Sequence, residues 1–271
     1  MPELPEVETV VRGLRQYILG DTLQRVRYAS IRIVRANPPG WKRSLAGRTV
    51  EWIERRGKYI LTGLTGGHVM LTHLRMTGRL LVKQSPYRRG PYDRFVAELG
   101  SGCVLVLSDT RQFGRVEWVP PDGISAHPSL SVLGPDALTI ELEELQSILR
   151  RSRRPIKSLL LDQTRIAGLG NIYVDETLHA AGIRPTVPAA TVGKKRVQRL
   201  HDAVRDILTR AITACGTTFD TFSDLTGASG GFGPQLRVYH RQGQPCERCN
   251  TTVRRIVVSG RGTHFCPRCQ R

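Results

Sequence analysis

The chain has few acidic side chains for its length. Among its 271 residues, 23 are Asp or Glu and 41 are Lys or Arg, so the formal net charge is +18. Such an excess of positive charge predicts a polyanionic partner. No apolar run approaches the length that crosses a membrane, and the basic residues are not confined to one amphipathic segment. These absences disfavour a membrane protein and leave nucleic acid as the favoured polyanion.

Cysteine is also scarce, and most of it is concentrated near the C-terminus. Cys246 and Cys249 form one Cys-x2-Cys pair, and Cys266 and Cys269 form a second pair after 16 intervening residues. This spacing is typical of a four-cysteine zinc site. Each pair places two sulfurs on one tight turn, and two pairs complete a tetrahedron with no position left for a substrate. The pattern therefore predicts one structural zinc ion.

Two disulfides in a secreted domain are the alternative to zinc. The start of the chain does not have the pattern of a secretory signal peptide, and Cys103 and Cys215 have no matching partners, so a reducing compartment is favoured. Between the two cysteine pairs, Val253–Val258 is predicted as a strand and Ser259–Thr263 as a turn. The module is therefore expected to be a β-hairpin with Arg261 at its tip.

The N-terminus contains a possible nucleophile. If Met1 is removed, Pro2 becomes a secondary amine, which can attack an electrophilic carbon and form an iminium with a sugar or carbonyl. Carboxylates follow at Glu3 and Glu6, where general acid or base chemistry would need them. The alternative is that Pro2 only directs removal of Met1 and that the acidic residues favour a helix N-terminus.

Hydrophobic spacing divides the chain into a β-rich part and a helical part. Apolar residues recur at helical spacing over 7–18, and helical signals return after Thr139. Gly216–Gly233 is a long loop rich in Gly, Ser and Thr, which is expected to be functional or mobile. The strands are predicted at Leu23–Tyr28, Thr49–Ile53, Tyr59–Leu64, His68–Leu74, Phe95–Leu99 and Val104–Leu107.

These signals predict an α+β protein without internal repeats. Its length suits two compact domains. The predicted segments are an N-terminal β-sandwich with a leading helix at 1–134, a helical DNA-binding segment at 135–233, and a zinc hairpin at 234–271.

Four motifs, in matching order along the whole chain, resemble the formamidopyrimidine-DNA glycosylase family, the 8-oxoguanine DNA glycosylase/AP lyases. They are the N-terminal Pro2–Thr9, Arg56-Gly57-Lys58-Tyr59, Asp109–Gly114 and the glycine turn with its helix at Gly168–Glu176. The four-cysteine hairpin is a further feature that matches this family. The resemblance implies the α+β fold above, with a helix–two-turn–helix motif in the helical segment.

The resemblance also implies catalytic roles. Pro2 would be the nucleophile, and Glu3 would donate the proton that opens the deoxyribose. Glu6 would hold the terminal amine and the helix start in place. Lys58 would assist base expulsion or sugar protonation, and Arg261 would lie near the reacting sugar phosphate.

Further residues are expected to contact DNA. The glycine turn can direct backbone N–H groups at a phosphate, and a basic cluster precedes it. The alternative is an ordinary helix–turn–helix in which Asn171 is the N-cap. The resemblance adds three residues that would fill the space left by a flipped-out base and two that match other contact positions, although Tyr92 stands where histidine is common. The predicted DNA contacts are Met76, Tyr92, Arg111, Phe113, Arg153, Lys157 and Asn171.

The resemblance implies a bifunctional enzyme of base excision repair. It would excise oxidised purines, such as 8-oxoguanine and formamidopyrimidines, through a Pro2 Schiff base and cut the strand by β,δ-elimination. Its partner would be double-stranded DNA with oxidised purines or abasic sites, bound in a basic cleft between the domains. A monomer in the bacterial cytoplasm, associated with the nucleoid and not with a membrane, is expected.

Two other functions stay open. An endonuclease VIII-like glycosylase would remove oxidised pyrimidines, but that branch begins Pro-Glu-Gly-Pro-Glu, and this chain has Leu4. Gly231 stands where many relatives carry tyrosine, so it leaves the fine base preference open. A non-catalytic zinc-finger DNA-binding protein is the second alternative, and intact Pro2, Glu3 and Lys58 argue against it.

Overall fold

The computed structural model describes residues 1–218 and 222–271, which divide into two units. The first, here called the β unit, comprises Met1–Val132 and Ala214–Gly231. The second, called the helical unit, comprises Leu133–Thr213 and Phe232–Arg271. The helical unit therefore includes the predicted zinc hairpin. The predicted loop Gly216–Gly233 includes residues 219–221, which lie outside the described residues.

The β unit consists of a leading helix and two antiparallel sheets. Their strand orders are β1-β6-β7-β5 and β2-β3-β4-β8. The helices are α1 (Leu4–Ile18), α2 (Ile31–Val34), α3 (Trp41–Leu45) and α4 (Pro128–Ser131). The strands are β1 (Leu23–Tyr28), β2 (Val50–Arg56), β3 (Tyr59–Leu64), β4 (His68–His73), β5 (Arg79–Gln84), β6 (Asp93–Leu99), β7 (Cys103–Ser108) and β8 (Arg115–Val119).

One hydrophobic core joins both sheets to α1. It includes Val10 of α1, Leu23 of β1, Ile60 of β3 and Leu105 of β7. The predicted β-sandwich with a leading helix is therefore confirmed. Pro5 lies in the first turn of α1, where the missing backbone N–H has no intrahelical partner to lose.

The helical unit surrounds one buried helix. α7 (Asn171–Ala181) has almost every side chain buried, because α8 (Lys194–Thr213) and the zinc hairpin pack against it. α8 is amphipathic and turns residues such as Leu200, Val204 and Leu208 inward. The remaining helices and strands are α5 (Leu142–Arg150), α6 (Ile156–Leu160), β9 (Arg254–Val258) and β10 (Arg261–Phe265).

The zinc hairpin has a tighter turn than the sequence suggested. The predicted turn at Ser259–Thr263 was too long, since β10 already begins at Arg261, which pairs with Val258. Only Ser259 and Gly260 connect the strands, with φ of 48° and 73°. Positive φ at both central residues is typical of a type I′ turn, whose twist suits a two-residue hairpin. Arg261 is therefore the first strand residue after the tip.

No helix within the described ranges is long and apolar enough to cross a membrane.

Candidate active site and zinc centre

A buried carboxylate fixes the start of α1. Glu6 is 1% exposed, and its Oε2 accepts the backbone N–H of Glu3 at 2.8 Å. Its Oε1 accepts the backbone N–H of Thr217, also at 2.8 Å. Gly216 has a φ of +81°, and a Cβ at this position would lie 2.9 Å from Cγ of Glu6. The glycine therefore permits the close approach that joins the helix start to the segment at 216–217.

The residues before Glu6 are enclosed, apart from the first. Pro2 and Glu3 are buried, whereas Met1 is 49% exposed. While Met1 is attached, the nitrogen of Pro2 is an amide and cannot act as a nucleophile. Removal of Met1 leaves a secondary amine at a sheltered position, one residue from a buried carboxylate.

Lys58 lies in a hairpin turn that is attached to α1. β2 and β3 are joined by Gly57 and Lys58, with Arg56 paired to Tyr59. The φ of Gly57 is +56°, and glycine at the first central position is typical of a type II′ turn. Lys58 is only 5% exposed, so it is not an ordinary solvated surface lysine.

A single arginine holds this turn against the helix. Arg55 donates from Nε to the Glu8 carboxylate of α1 at 3.0 Å and from Nη1 to the carbonyl of Gly57 at 3.0 Å. The side chain of Arg55 is mostly buried, so the bridge is better shielded from solvent than a surface ion pair. The turn that carries Lys58 is therefore fixed to the same helix whose start carries Pro2 and Glu3.

A neutral histidine lies beside the lysine turn. His73 of β4 is buried, and its ring meets Tyr59 edge-on at 4.5 Å between ring centroids. Its Nδ1 accepts the backbone N–H of Arg75 at 2.9 Å. Burial, followed by the positive charges of Arg75, Lys58 and Arg115, lowers the pKa of His73 to about 3. The imidazole is therefore an uncharged acceptor that orders the chain just before Met76.

Asp109 organises the two loops that carry the predicted base-replacing residues. This carboxylate is 1% exposed. Its Oδ1 accepts from the Thr77 hydroxyl and from the backbone N–H of Arg111, and its Oδ2 accepts from the N–H of Gly114 at 2.8 Å. The loop of Met76 and the loop of Arg111 are thus attached to one buried group.

Large side chains project into solvent from these loops. Met76 is 39% exposed and Phe113 is 43% exposed. The Arg111 guanidinium lies 4.7 Å from the centroid of the Phe113 ring, within cation–π range. Exposed apolar groups on anchored loops suit insertion into a base stack.

Tyr92 is connected to the same anchor. It is 50% exposed, and its carbonyl accepts the backbone N–H of Asp109 at 2.9 Å. The Arg94 guanidinium lies 5.8 Å from the Tyr92 ring centroid, and its Nε donates to the carbonyl of Asp109 at 2.9 Å. The structure therefore brings Met76, Arg111, Phe113 and Tyr92 together around one loop network of the β unit.

In the helical unit, the glycine turn is shaped by a glutamine. Gln163 accepts the backbone N–H of Gly168 at 3.0 Å and donates to the carbonyl of Leu169 at 2.8 Å. The N-cap of α7 is Gly170, so the alternative that made Asn171 the N-cap is wrong. Asn171 instead donates from Nδ2 to the carbonyl of Gly262 at 3.0 Å.

Lys157 does not lie at the surface. It is 0% exposed, and its ammonium donates to Asp175 Oδ1 at 2.6 Å and to the carbonyl of Gly262 at 3.1 Å. Asp175 Oδ2 also accepts the backbone N–H of His264 at 2.8 Å. The prediction that Lys157 contacts DNA is at odds with this burial. Its side chain holds β10 against α7.

The buried pair positions an exposed arginine. Arg261 precedes Gly262, whose carbonyl receives both Lys157 and Asn171, and the Arg261 side chain is exposed. Arg153 is exposed as well. Of the predicted contacts in this unit, these two are the basic side chains that a phosphate can reach directly.

The four predicted zinc ligands converge at the base of the hairpin. Their Sγ atoms all lie within 4.8 Å of one another. Three of the sulfur–sulfur distances are 3.4 Å (Cys249–Cys269), 3.5 Å (Cys249–Cys266) and 3.9 Å (Cys246–Cys269). A tetrahedron with zinc–sulfur bonds of about 2.3 Å has sulfur–sulfur edges of about 3.8 Å. The set fits one zinc ion with no open coordination position, and the zinc is structural.

Family models match the chain in three consecutive parts. Residues 1–116 match the formamidopyrimidine-DNA glycosylase N-terminal domain, and residues 133–223 match the H2TH domain of the same family. Residues 243–271 match a zinc finger found in that family and in isoleucyl-tRNA synthetase.

Relatives and solved structures agree with this match. Formamidopyrimidine-DNA glycosylases of Rhizorhabdus wittichii and Lactiplantibacillus plantarum are 42% and 39% identical, over 100% of both chains in each case. Lactococcus lactis Fpg bound to abasic-site DNA superposes with a TM-score of 0.93 at 35% identity, covering 99% of each chain. The MutM (Fpg) protein of Thermus thermophilus superposes with a TM-score of 0.89 at 38% identity, covering 99% of this chain and 98% of that one.

The β-sandwich, the helical unit and the zinc hairpin together define a zinc-finger DNA glycosylase of the helix–two-turn–helix class. The chain belongs to the formamidopyrimidine-DNA glycosylase family.

Several residues of the site were not found from the sequence. Asp109 lies in the Asp109–Gly114 motif, but its role as the anchor of two loops was not predicted. Asp175, Gln163 and His73 gave no sequence signal of their own. An aspartate in a loop commonly accepts the backbone N–H of the residue two positions later, so the role of Asp109 could have been found.

His73 predicts a pH dependence of stability. Its folded-state pKa of about 3 lies below the usual value of 6.5. Its contribution is therefore complete above pH 6.5 and is lost as the pH falls toward 3. In urea unfolding between pH 7 and pH 4, the wild type should lose stability more steeply than His73→Asn, which keeps an acceptor near the Nδ1 position. The difference in slope should reach about 1.4 kcal/mol per pH unit, and equal slopes would show that His73 protonates as readily folded as unfolded.

Lys157 predicts a large stability loss on neutralisation. Lys157→Met leaves the Asp175 carboxylate buried without its ammonium, which costs about 3–5 kcal/mol in comparable sites. The matched control is Lys194→Met, because Lys194 is exposed and surface charges contribute little. Urea unfolding of both variants provides the measurement. Equal midpoints for the two variants would contradict a structural role for Lys157.

Proposed function

We propose that the Pro2 amine, exposed by loss of Met1, is the nucleophile of a bifunctional DNA glycosylase/AP lyase of base excision repair. The observation that carries this proposal is the double attachment of α1. Its start is held by the buried Glu6 carboxylate, and the Lys58 turn is fixed to it through Arg55 and Glu8. A nucleophile and a lysine on two elements that are attached to each other suit a reaction that needs both at one sugar.

In the proposed reaction, the lone pair of the Pro2 nitrogen forms a bond to C1′ of the damaged nucleoside. The bond between C1′ and the base nitrogen breaks, and the base leaves with its bonding electrons and takes up the proton that the Pro2 nitrogen loses. Glu3 donates a proton to the ring oxygen as the deoxyribose opens, which produces the iminium. Lys58 assists base departure or the protonation of the sugar.

Strand cleavage follows from the iminium. Loss of a C2′ proton allows the C3′–oxygen bond to break with release of the 3′ phosphate group, and loss of a C4′ proton then allows the C5′–oxygen bond to break with release of the 5′ phosphate group. Hydrolysis of the remaining iminium returns the free amine. Arg261 is proposed to bind the phosphate beside the reacting sugar, where a guanidinium can stabilise the leaving charge.

The DNA is proposed to be double-stranded, with the damaged base flipped out of the helix. Met76 and Phe113 would fill the vacated space, and Arg111 would donate to acceptors on the opposite cytosine. Tyr92, Arg153 and the turn at Asn171 are proposed to contact the backbone. Lys157 acts by positioning Arg261.

Oxidised purines, namely 8-oxoguanine and formamidopyrimidines, are the proposed bases, and Leu4 supports the purine branch. Gly231 does not have a positive φ, and a Cβ there would meet only the carbonyl of Ala214, at 3.5 Å. The backbone therefore does not require glycine at 231, so its small size is available to base selection. A bacterial cytoplasmic monomer working at the nucleoid is proposed, with abasic sites as further substrates.

Borohydride trapping tests the nucleophile. With a duplex containing 8-oxoguanine opposite cytosine, borohydride should reduce the iminium and link protein and DNA covalently, and the adduct should map to the N-terminal peptide. A variant that retains a blocking N-terminal extension should lose trapping, while the same extension at the C-terminus should have no effect.

The side-chain variants separate the roles. Glu3→Gln should bind the duplex with nearly unchanged affinity and release base at least about 100-fold more slowly, as expected on loss of a general acid. If the N-terminally blocked protein is trapped at full yield through Lys58, the Pro2 assignment is wrong. Preferential excision of an oxidised pyrimidine such as thymine glycol would favour the endonuclease VIII-like alternative.

A further inference from the structure

A histidine outside the ligand set lies against the zinc centre. His179 is in the last turn of α7 and is 2% exposed. Its Nε2 lies 3.5 Å from Sγ of Cys246, within hydrogen-bonding distance for sulfur. Among the described residues, the side chains close enough together to share a metal ion are the four cysteines. His179 is therefore placed to contact a ligand, while the ion itself has a complete sulfur set.

The electrostatics of the centre favour a donor at this position. Four thiolates around Zn2+ leave a net charge of −2. Cys246 is completely buried, so water cannot supply hydrogen bonds to its sulfur. A buried charge without hydrogen bonds is costly, and a metal-bound thiolate can still accept them. An N–H from Nε2 of His179 would stabilise the thiolate and hold it in place for the metal.

The end of α7 is attached to both cysteine pairs. Arg248, between the first two cysteines, donates from Nη1 to the carbonyls of His179 and Ala180 at 3.1 and 3.3 Å. Gln270 accepts the backbone N–H of Cys266 at 2.8 Å and donates to the carbonyl of Ile183 at 2.9 Å. The His179–Cys246 contact is the one in this set that reaches a sulfur directly.

The opposite end of α7 holds the proposed phosphate-binding turn. The helix begins at Asn171, which bonds to the carbonyl of Gly262 beside Arg261. Eleven helical residues span about 16.5 Å at 1.5 Å per residue. A change at the sulfur end can therefore be transmitted along one rigid helix to the DNA-contacting end.

We propose that His179 is a positioning residue that donates from Nε2 to the zinc-bound Cys246 thiolate and couples zinc retention to the Asn171 end of α7. The zinc part of this inference stands without the proposed reaction. The coupling part rests on the proposed DNA contacts of the helical unit.

Zinc release tests the donor directly. Wild type, His179→Phe and His179→Gln are each purified with one zinc per chain. The rate of zinc release is then measured from the absorbance of an excess of a chelator that changes colour when it binds zinc. His179→Phe keeps an aromatic ring without the N–H, whereas the amide nitrogen of glutamine can occupy the Nε2 position. Loss of an outer hydrogen bond to a metal ligand typically costs about 10–100-fold in affinity. We expect release from the Phe variant to be at least about tenfold faster and release from the Gln variant to be close to wild type.

A spectroscopic readout separates hydrogen bonding from packing. In protein loaded with cadmium-113, the Nε2 proton of His179 should show scalar coupling to the metal through the Cys246 sulfur. If the coupling is absent and His179→Phe retains zinc as wild type does, the proposal is overturned.

Binding to a duplex with a non-cleavable abasic analogue tests the coupling. Affinity for this probe should fall in His179→Phe while zinc is still fully bound, and it should recover in His179→Gln. Faster zinc release with unchanged DNA affinity would retain the donor and overturn the coupling. This outcome is distinct from failure of the reaction, because the analogue reports binding alone.

Discussion

The Glu6 carboxylate is the group on which the proposed active site depends. It accepts one backbone N–H from Glu3 and one from Thr217. Thr217 lies 211 residues after Glu6 in the sequence. Hydrogen bonds to charged groups contribute about 1.5–3 kcal/mol each, and burial of the carboxylate makes both bonds necessary. Through these two bonds, Glu6 restrains the N-terminus at a place where chain ends are usually poorly ordered.

Buried carboxylates have the same role elsewhere in the fold. Asp109 anchors the two loops of Met76 and Arg111, and Asp175 anchors β10 through Lys157 and the backbone of His264. Glu176 accepts three consecutive backbone N–H groups at 237–239, although burial still raises its pKa. In a chain with only 23 acidic residues, these four lie in the interior. The exposed surface is left with a larger positive excess, as a DNA-binding protein requires.

The sequence predicted those features that depend on local pattern. The helical spacing at 7–18 and the two cysteine pairs each specify their structure over a short stretch, and both the leading helix and the zinc ligand set were confirmed. β5 at Arg79–Gln84 and β8 at Arg115–Val119 were not predicted, and both strands are only partly buried. The burial of Lys157 was not anticipated, because it depends on Asp175, 18 residues away, and on Gly262, 105 residues away. No local pattern carries that information.

Amide hydrogen exchange at Glu3 and Thr217 measures the Glu6 anchor most directly. In the wild type both amides should exchange slowly, because each donates to the same buried carboxylate. In Glu6→Gln, a side-chain NH2 replaces one acceptor oxygen, so at least one of the two amides should exchange at least about tenfold faster while β7 in the core stays protected. Glu51→Gln, at an exposed glutamate of the same unit, should leave both rates unchanged. Unchanged protection of both amides in Glu6→Gln would contradict the claim that this carboxylate fixes the N-terminus.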